Sequence, residues 1–224
     1  MKLGKITSRR YEDACATAHA LDLVGDRWAL LVMRELMLGP RRFGDLRASL
    51  TGLSANVLTQ RLEGLEAAGV LRRRRLPPPA SVQVYELTAW GMESEPILLA
   101  LGRWAVRSPH HDPTLPLSPV ALMLSFRAKF ERPRARGLDL SIGFRFGEEA
   151  FTVAVREGEL VTERGGPEGA GATVAGSPPA VAGLVYGKVP LEALEGQGAL
   201  SVAGDRSALT RFAGLFELPP KAES

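Results

Sequence analysis

Two groups of side chains in the first third of the chain have the types and spacing to engage a polyanion and the bases it carries. Ser54, Asn56, Thr59, Gln60 and Arg61 fall within one short stretch. Amide and guanidinium groups offer paired donors and acceptors in one plane, which matches the adenine and guanine edges in the major groove of DNA. Four consecutive arginines follow, Arg72, Arg73, Arg74 and Arg75, and alternation along a strand would send half of them to each face. Arg41 and Arg42 suit phosphate contacts, which set orientation without reading sequence. Catalytic chemistry finds little to work with. The chain has three histidines, His19, His110 and His111, and one cysteine, Cys15. His110, His111 and Asp112 lack the further ligands of a fixed metal site. The glycine-rich run Arg164 to Ala172 has no phosphate-loop lysine and reads as a strand connection. No nucleophile and base stand together as a motif. The expectation is no enzyme, no metal and no cofactor.

The elements that must hold the two groups follow from periodicity. Apolar residues at helical spacing predict helices over Ala14 to Val24 and Trp28 to Leu38, the second with a buried stripe of Trp28, Leu31, Val32 and Leu36. Gly39 and Pro40 end it. A short helix over Arg42 to Ser49 buries Phe43 and Leu46, with Leu50 just beyond. Thr51 and Gly52 then turn the chain, and Ser54 is placed to cap a helix in which Val57, Leu58, Leu62 and Leu65 face inward and Gly69 stops it. Val70 to Leu76 and Val82 to Leu87 read as a hairpin across Pro77 to Pro79. Thr88 would cap one last helix to about Arg107, with Ile97, Leu98, Leu101 and Trp104 as its apolar face.

Helix, turn, polar-fronted helix and basic hairpin in that order make a winged helix-turn-helix, and the residues bring a family with them. GDRW at Gly25 to Trp28, RRFGDL at Arg41 to Leu46, LSANVLTQRLEGLEAAG at Leu53 to Gly69 and YELTAWG at Tyr85 to Gly91 closely resemble the HxlR family of winged-helix regulators. The resemblance implies a homodimer built from the N-terminal and post-wing helices, which sets two recognition helices about one DNA turn apart on a near-palindromic operator. Cys15 falls where many such proteins carry a cysteine, and some of those sense oxidants or electrophiles. Here the neighbouring acids Glu12 and Asp13 would raise a thiol pKa, so a packed cysteine near the dimer seam is the expectation.

Prolines and polar residues at 108–119 mark a linker between two domains, 1–110 and 119–224. Beyond it, Ser118 and Pro119 open an apolar helix running to Phe130. Leu140, Ile142, Phe144 and Phe146 then alternate on one strand face, and Phe151, Val153 and Val155 on the next. The run from Ala172 to Phe216 has the rhythm strand, helix, helix, strand, helix, with Asp205 capping the last helix. The predicted class is α+β, with helices against one mainly antiparallel sheet. This half resembles the sterol carrier protein type 2-like domain. That likeness implies an apolar or lipid-like effector, with Met123, Phe126, Phe144, Phe151, Val153, Leu184, Phe212 and Phe216 as lining candidates.

Charge separates the halves. Residues 1–108 carry 16 Lys/Arg against 11 Asp/Glu, a balance of +5, and the remainder carries 12 against 14, a balance of −2. Phosphate backbones attract the first and not the second. A single cysteine excludes an internal disulfide framework. No apolar run reaches the ~18–20 residues needed to span a bilayer, so a cytoplasmic protein without membrane span is expected. The function expected is a DNA-binding transcriptional regulator, in the sense of a repressor, tuned by an apolar ligand. The alternative is a lipid-binding or carrier protein that uses its winged helix mainly for dimerisation.

Overall fold

The computed structural model describes residues 11–223, and the basic opening MKLGKITSRR lies outside the described residues. The chain forms two compact units, divided between Leu98 and Leu99. The first contains α1 (Ala16–Val24), α2 (Ala29–Leu36), α3 (Phe43–Ser49), α4 (Ala55–Ala67), β1 (Leu71–Arg75), β2 (Gln83–Leu87) and α5 (Ala89–Met92). The division falls inside α6 (Glu95–Ala105). The end of α6 is bound by the last residues of the chain: Arg107 Nε donates to the Pro220 carbonyl, Lys221 Nζ to those of Val106 and Ser108, and Ala222 N–H to that of Arg107.

In the first unit, Val32, Met33 and Leu36 of α2 and Leu46 of α3 are buried together with Leu58, Leu62 and Leu65 of α4. The stripe expected on α2 is corrected. Leu31 is 38% exposed and Ala29 and Met33 take its place inside. Trp28 precedes the helix in the left-handed region, φ 81°, so the helical phase starts one residue later than periodicity suggested. At the start of α4 the Ser54 hydroxyl accepts the Val57 N–H at 3.3 Å. At its end Gly69 (φ 73°) turns left-handed, its N–H bonds to Glu66 and that of Val70 bonds back to Leu65. The buried pair Leu65 and Val70 completes this stop motif.

β1 and β2 pair antiparallel with Leu71 opposite Leu87, Arg72 opposite Glu86 and Arg73 opposite Tyr85. Arg41 and Tyr85 exchange two backbone hydrogen bonds, 2.9 and 2.8 Å, which tie the start of α3 to the hairpin. Thr88 caps α5 and also donates to the Gly69 carbonyl at 2.8 Å. Gly91 is required by close approach: a Cβ there would lie 2.0 Å from the Val70 carbonyl oxygen. The single helix expected from Thr88 to Arg107 is two, α5 and α6. Pro96 has no N–H and its ring collides with the carbonyl four residues back, so it is tolerated only in the first turn of a new helix.

The second unit contains α7 (Pro119–Lys129), a 3-10 turn (Arg132–Ala135), β3 (Leu140–Phe146), β4 (Glu149–Arg156), β5 (Glu159–Arg164), β6 (Ala172–Gly176), α8 (Pro178–Val185), α9 (Leu191–Gly196), β7 (Leu200–Gly204) and α10 (Arg206–Ala213). Its sheet has the order β5-β4-β3-β6-β7, antiparallel except for the β3–β6 pair. The rhythm expected from Ala172 onward is the one found. Ser118 caps α7 and Asp205 caps α10 through their side chains. The alternating residues of β3 and β4 turn Phe144, Phe146, Phe151, Val153 and Val155 inward against Phe126 of α7 and Phe212 of α10. Pro167, in the glycine-rich connection, covers Gly143 so closely that a Cβ there would lie 2.0 Å from the Pro167 Cβ.

Candidate nucleic-acid interface

Leu58, Leu62 and Leu65 fix how α4 lies, and the opposite face is left to solvent. Asn56 and Gln60, one turn apart, are exposed there with Thr59 between them and Glu63 one turn further on. The amides of Asn56 and Gln60 therefore project from one ridge of the helix. Ser54 is exposed at the head of the helix, but its hydroxyl oxygen is already engaged as the cap. The Thr59 hydroxyl donates back to the Ala55 carbonyl at 3.0 Å, leaving its lone pairs and methyl outward. Arg61 is half-buried and its guanidinium is ion-paired with Asp26 in the turn between α1 and α2. It braces α4 against the preceding helices.

The four arginines of β1 are all exposed, and each is held. Arg72 and Arg74 lie on one face and share Glu86, with Nε to carboxylate distances of 2.7 and 3.0 Å. The two guanidinium groups, Arg74 foremost, hold the Glu86 carboxyl below its usual range. Arg73, on the other face, reaches α4: its Nη2 lies 2.7 Å from Glu66, whose carboxylate also accepts the Arg73 backbone N–H. Arg75 donates from Nε to the Ser81 carbonyl at 3.3 Å. Four cations against two carboxylates leave this ribbon with a positive surplus. Arg73, Arg74 and Arg75 line a shallow depression of about 400 Å³ with Ser81 and Gln83. These last two, like Glu66 and Glu86, escape sequence reasoning. Cross-strand register would have found Glu86 and Gln83, since they stand opposite Arg72 and Arg75.

Arg42 is exposed at the head of α3, where Asp45 accepts its backbone N–H at 3.2 Å. Arg41 departs from expectation. It is 6% exposed and donates from Nη2 to the Ser49 hydroxyl at 3.1 Å, so it holds α3 together instead of facing a phosphate. The reason lies in its backbone, which the Tyr85 bridge pins against the hairpin and turns inward.

Cys15 is exposed and precedes α1. Backbone N–H groups of Thr17 and Ala18 and the Thr17 hydroxyl lower its thiol pKa. The expectation of a raised pKa is thus corrected, and within the single chain the side chain is exposed. The free amides at the helix start outweigh the acids Glu12 and Asp13. His110 and His111 are exposed, and Asp112 accepts from the Thr114 hydroxyl at 2.7 Å. Among the described residues no three or more His, Cys, Asp or Glu side chains gather as a metal site.

The eight lining candidates of the second unit are interior side chains. Met123, Phe126, Phe144, Phe151, Val153, Phe212 and Phe216 are fully buried and Leu184 half-buried. Phe126, Phe212 and Phe216 pack with ring centroids 4.8–5.3 Å apart, at contact with one another. These apolar faces satisfy each other, and the residues form a core where the sequence had suggested the wall of a cavity. Among the described residues no helix is long and apolar enough to cross a membrane.

Residues 23–112 match the family described as HxlR-like helix-turn-helix. Residues 117–222 match the family described as alkyl sulfatase C-terminal, where the residue pattern alone suggests sterol carrier protein type 2. The chain is 41% identical over 87 residues to the HTH-type transcriptional regulator sll1512 of Synechocystis sp., covering 39% of this chain and 64% of that one. It is 37% identical over 86 residues to the HTH-type transcriptional regulator YvaP of Bacillus subtilis, covering 38% of this chain and 80% of that one. Among solved structures, the sec-alkylsulfatase Pisa1 from Pseudomonas sp. aligns over 48% of this chain and 17% of its own at 22% identity, with a TM-score of 0.42.

Proposed function

The chain belongs to the HxlR-like helix-turn-helix family of transcriptional regulators, and from that premise we propose that it is a DNA-binding repressor whose α4 enters the major groove while the β1–β2 hairpin follows the neighbouring backbone. The observation that carries this reading is the pairing of an exposed polar ridge, Asn56, Thr59 and Gln60, with a four-arginine strand joined to the same helix through Arg73 and Glu66. Asn56 and Gln60 read base edges. Arg42, Arg72, Arg74 and Arg75 hold phosphates. Arg73 sets the angle between helix and ribbon and contributes charge. Ser54, Thr59, Arg61 and Arg41 are ascribed to shaping and bracing this surface.

A second copy of the chain completes the operator contact. The support is α6, which buries none of its residues within the chain although Ile97, Leu101 and Trp104, the last 74% exposed, share its apolar face. Pairing through that face gives a homodimer and a near-palindromic site. The second unit is ascribed an effector role: a ligand that favours one state of the chain over another shifts operator occupancy, with couplings of ~1–3 kcal/mol changing it ~5- to 150-fold. The sterol carrier likeness of the residue pattern supports this part.

The test is a fluorescence-anisotropy titration of the DNA upstream of the protein's own coding sequence at several salt concentrations. Gln60→Ala is expected to lower discrimination between operator variants. Arg73→Ala is expected to weaken all sequences and flatten the salt dependence, and to lower the ratio of operator to random binding because the brace to Glu66 is lost with the charge. Unchanged binding by both variants removes the reading.

A further inference from the structure

We propose that Glu63 is a third base-reading residue of α4 and that its carboxylate accepts a hydrogen bond from the exocyclic amino group of a cytosine, so that the operator carries a fixed C·G pair close to the base read by Gln60. This rests on the reading above and deepens it by naming the chemistry of one operator position.

Asn56, Gln60 and Glu63 are all exposed, while Leu58, Leu62 and Leu65 of the same helix are buried. At about 100° per residue the three polar side chains fall within ~60° of one another around the axis, opposite the three leucines. At 1.5 Å of rise per residue, Gln60 and Glu63 start ~4.5 Å apart along the helix, and the whole row from Asn56 spans ~10 Å. Base pairs stack at ~3.4 Å. A docking that brings both amides to base edges therefore carries Glu63 into the same groove, one or two base pairs beyond Gln60. The chain itself makes no use of this carboxylate. Among the described residues it enters no ion pair and no side-chain hydrogen bond. Arg73 feels its charge, but the Arg73 guanidinium is hydrogen-bonded to Glu66. Arg61, two residues before it on the helix, is turned to Asp26. Glu63 is thus an uncompensated acid in the middle of a face otherwise suited to a polyanion.

A carboxylate brought between two rows of phosphates loses water and meets like charge, so it is tolerated there only if a donor answers it. The four bases differ in what they can offer. Guanine shows two acceptors to the major groove and thymine one acceptor and a methyl group, while adenine sets an acceptor beside its amino donor. Both oxygens of an ionised carboxylate are acceptors, so each of these bases opposes one or both of them. Cytosine alone presents an amino donor with no acceptor next to it. The acid therefore selects cytosine as much by repelling the other bases as by binding this one. Asn56 and Gln60 differ from it, because an amide holds donor and acceptor together and matches adenine. One ridge of α4 thus carries two kinds of reader within a few base pairs.

The experiment selects duplexes from a random-sequence DNA library with the full chain, with Glu63→Ala and with Gln60→Ala. The duplex selected by the unaltered chain is then titrated by fluorescence anisotropy, with and without replacement of its cytosine by the same ring lacking the amino group. The unaltered chain is expected to select a fixed cytosine one or two pairs from the position that Gln60→Ala relaxes, and Glu63→Ala to relax the cytosine position and no other. Deleting the amino group should weaken binding by the unaltered chain about tenfold, as a good base contact does, and should leave binding by Glu63→Ala within about twofold. The substitution is on an exposed helix face, and its thermal melt should match that of the unaltered chain. A cytosine preference kept by Glu63→Ala, an equal gain in affinity for every duplex, which is the mark of plain repulsion, or a selected motif without a fixed cytosine would each overturn the proposal and leave the regulator reading standing. Enrichment of no duplex by the unaltered chain would remove both.

Discussion

Replacing Lys129 by methionine should stabilise the protein at neutral pH, because methionine keeps the length of the buried stem and removes the charge. Burial, assisted by the Arg103 guanidinium, lowers the amine from 10.5 to about 8. At 1.36 kcal/mol per pH unit, that displacement withholds about 3 kcal/mol of folding free energy while the group is charged in both states. Loss of the contact with Tyr186 returns about 1–2 kcal/mol, so the net gain at pH 7 is about 1–2 kcal/mol. The pH dependence gives the sharper signature. Below pH 8 folded and unfolded chains both hold the proton and the full cost applies. Between pH 8 and 10.5 the folded amine is neutral while the unfolded one is still charged, so unfolding takes up a proton and stability rises with pH. Above 10.5 the cost is gone. Urea unfolding of both proteins from pH 7 to 10.5, followed by far-UV circular dichroism and compared pH by pH, cancels the other titrating groups. The lead of Lys129→Met should shrink across that window and close at its upper end, where the neutral amine has lost both the cost and the cation–π contact. A lead that stays constant with pH, or none at pH 7, would refute the desolvated-lysine argument.

Gly91→Ala should cost about 3 kcal/mol, the upper end of overpacking, because the new methyl meets the Val70 backbone carbonyl and not a side chain that can turn away; thermal melts will show it. Ser54→Ala should lose about 1 kcal/mol with the cap, whereas Ser54→Asp should keep the stability and weaken DNA binding by setting a carboxylate at the groove. Paired urea melts and operator titrations separate the two roles. Cys15 should alkylate with iodoacetamide at pH 7 faster in the folded chain than in the same chain unfolded in urea, since only the folded chain offers the Thr17 and Ala18 amides to the thiolate. Equal rates would discount that effect.

Much of this fold could be read from the residues because its stops and caps are chemical. Ser54, Gly69, Thr88, Ser118 and Asp205 each do at a helix end what their side chain, or lack of one, allows. The sheet of the second unit was equally legible, since strict alternation in β3 and β4 leaves one way to bury five large side chains. What escaped was anything that depends on two distant segments. Arg41 reads as a surface cation until the Tyr85 bridge is known, and Arg61 as a base reader until Asp26 is seen to face it. The α2 stripe slipped because a left-handed Trp28 shifts the phase, and the last helix split because Pro96 was weighed less than the apolar pattern around it. In the second unit an apolar list cannot distinguish a wall from a core, since both want the same residues. The unusual feature there, a buried lysine without an acid, shows itself only when its surroundings are assembled.

The ion pairs of the wing bear on how such a surface would change partners. Arg72, Arg73 and Arg74 keep side-chain exposures of 65%, 50% and 41% while paired with Glu86 and Glu66. Exposed pairs of this kind are worth about 0–1 kcal/mol each, so exchanging a carboxylate for a phosphate costs little and releases counterions from the DNA. The same pairs still restrict the guanidinium groups to one side of the ribbon before any ligand arrives, which lowers the entropy to be lost on docking. Glu66 has a second consequence. It lies on α4, and with both its side chain and its backbone N–H held by that carboxylate, Arg73 cannot move without the helix. Removing the acid with Glu66→Gln should therefore leave the wing charge higher yet its aim looser, so that affinity for random DNA rises while the ratio of operator to random binding falls. If the ratio were unchanged, ribbon and helix would be acting independently.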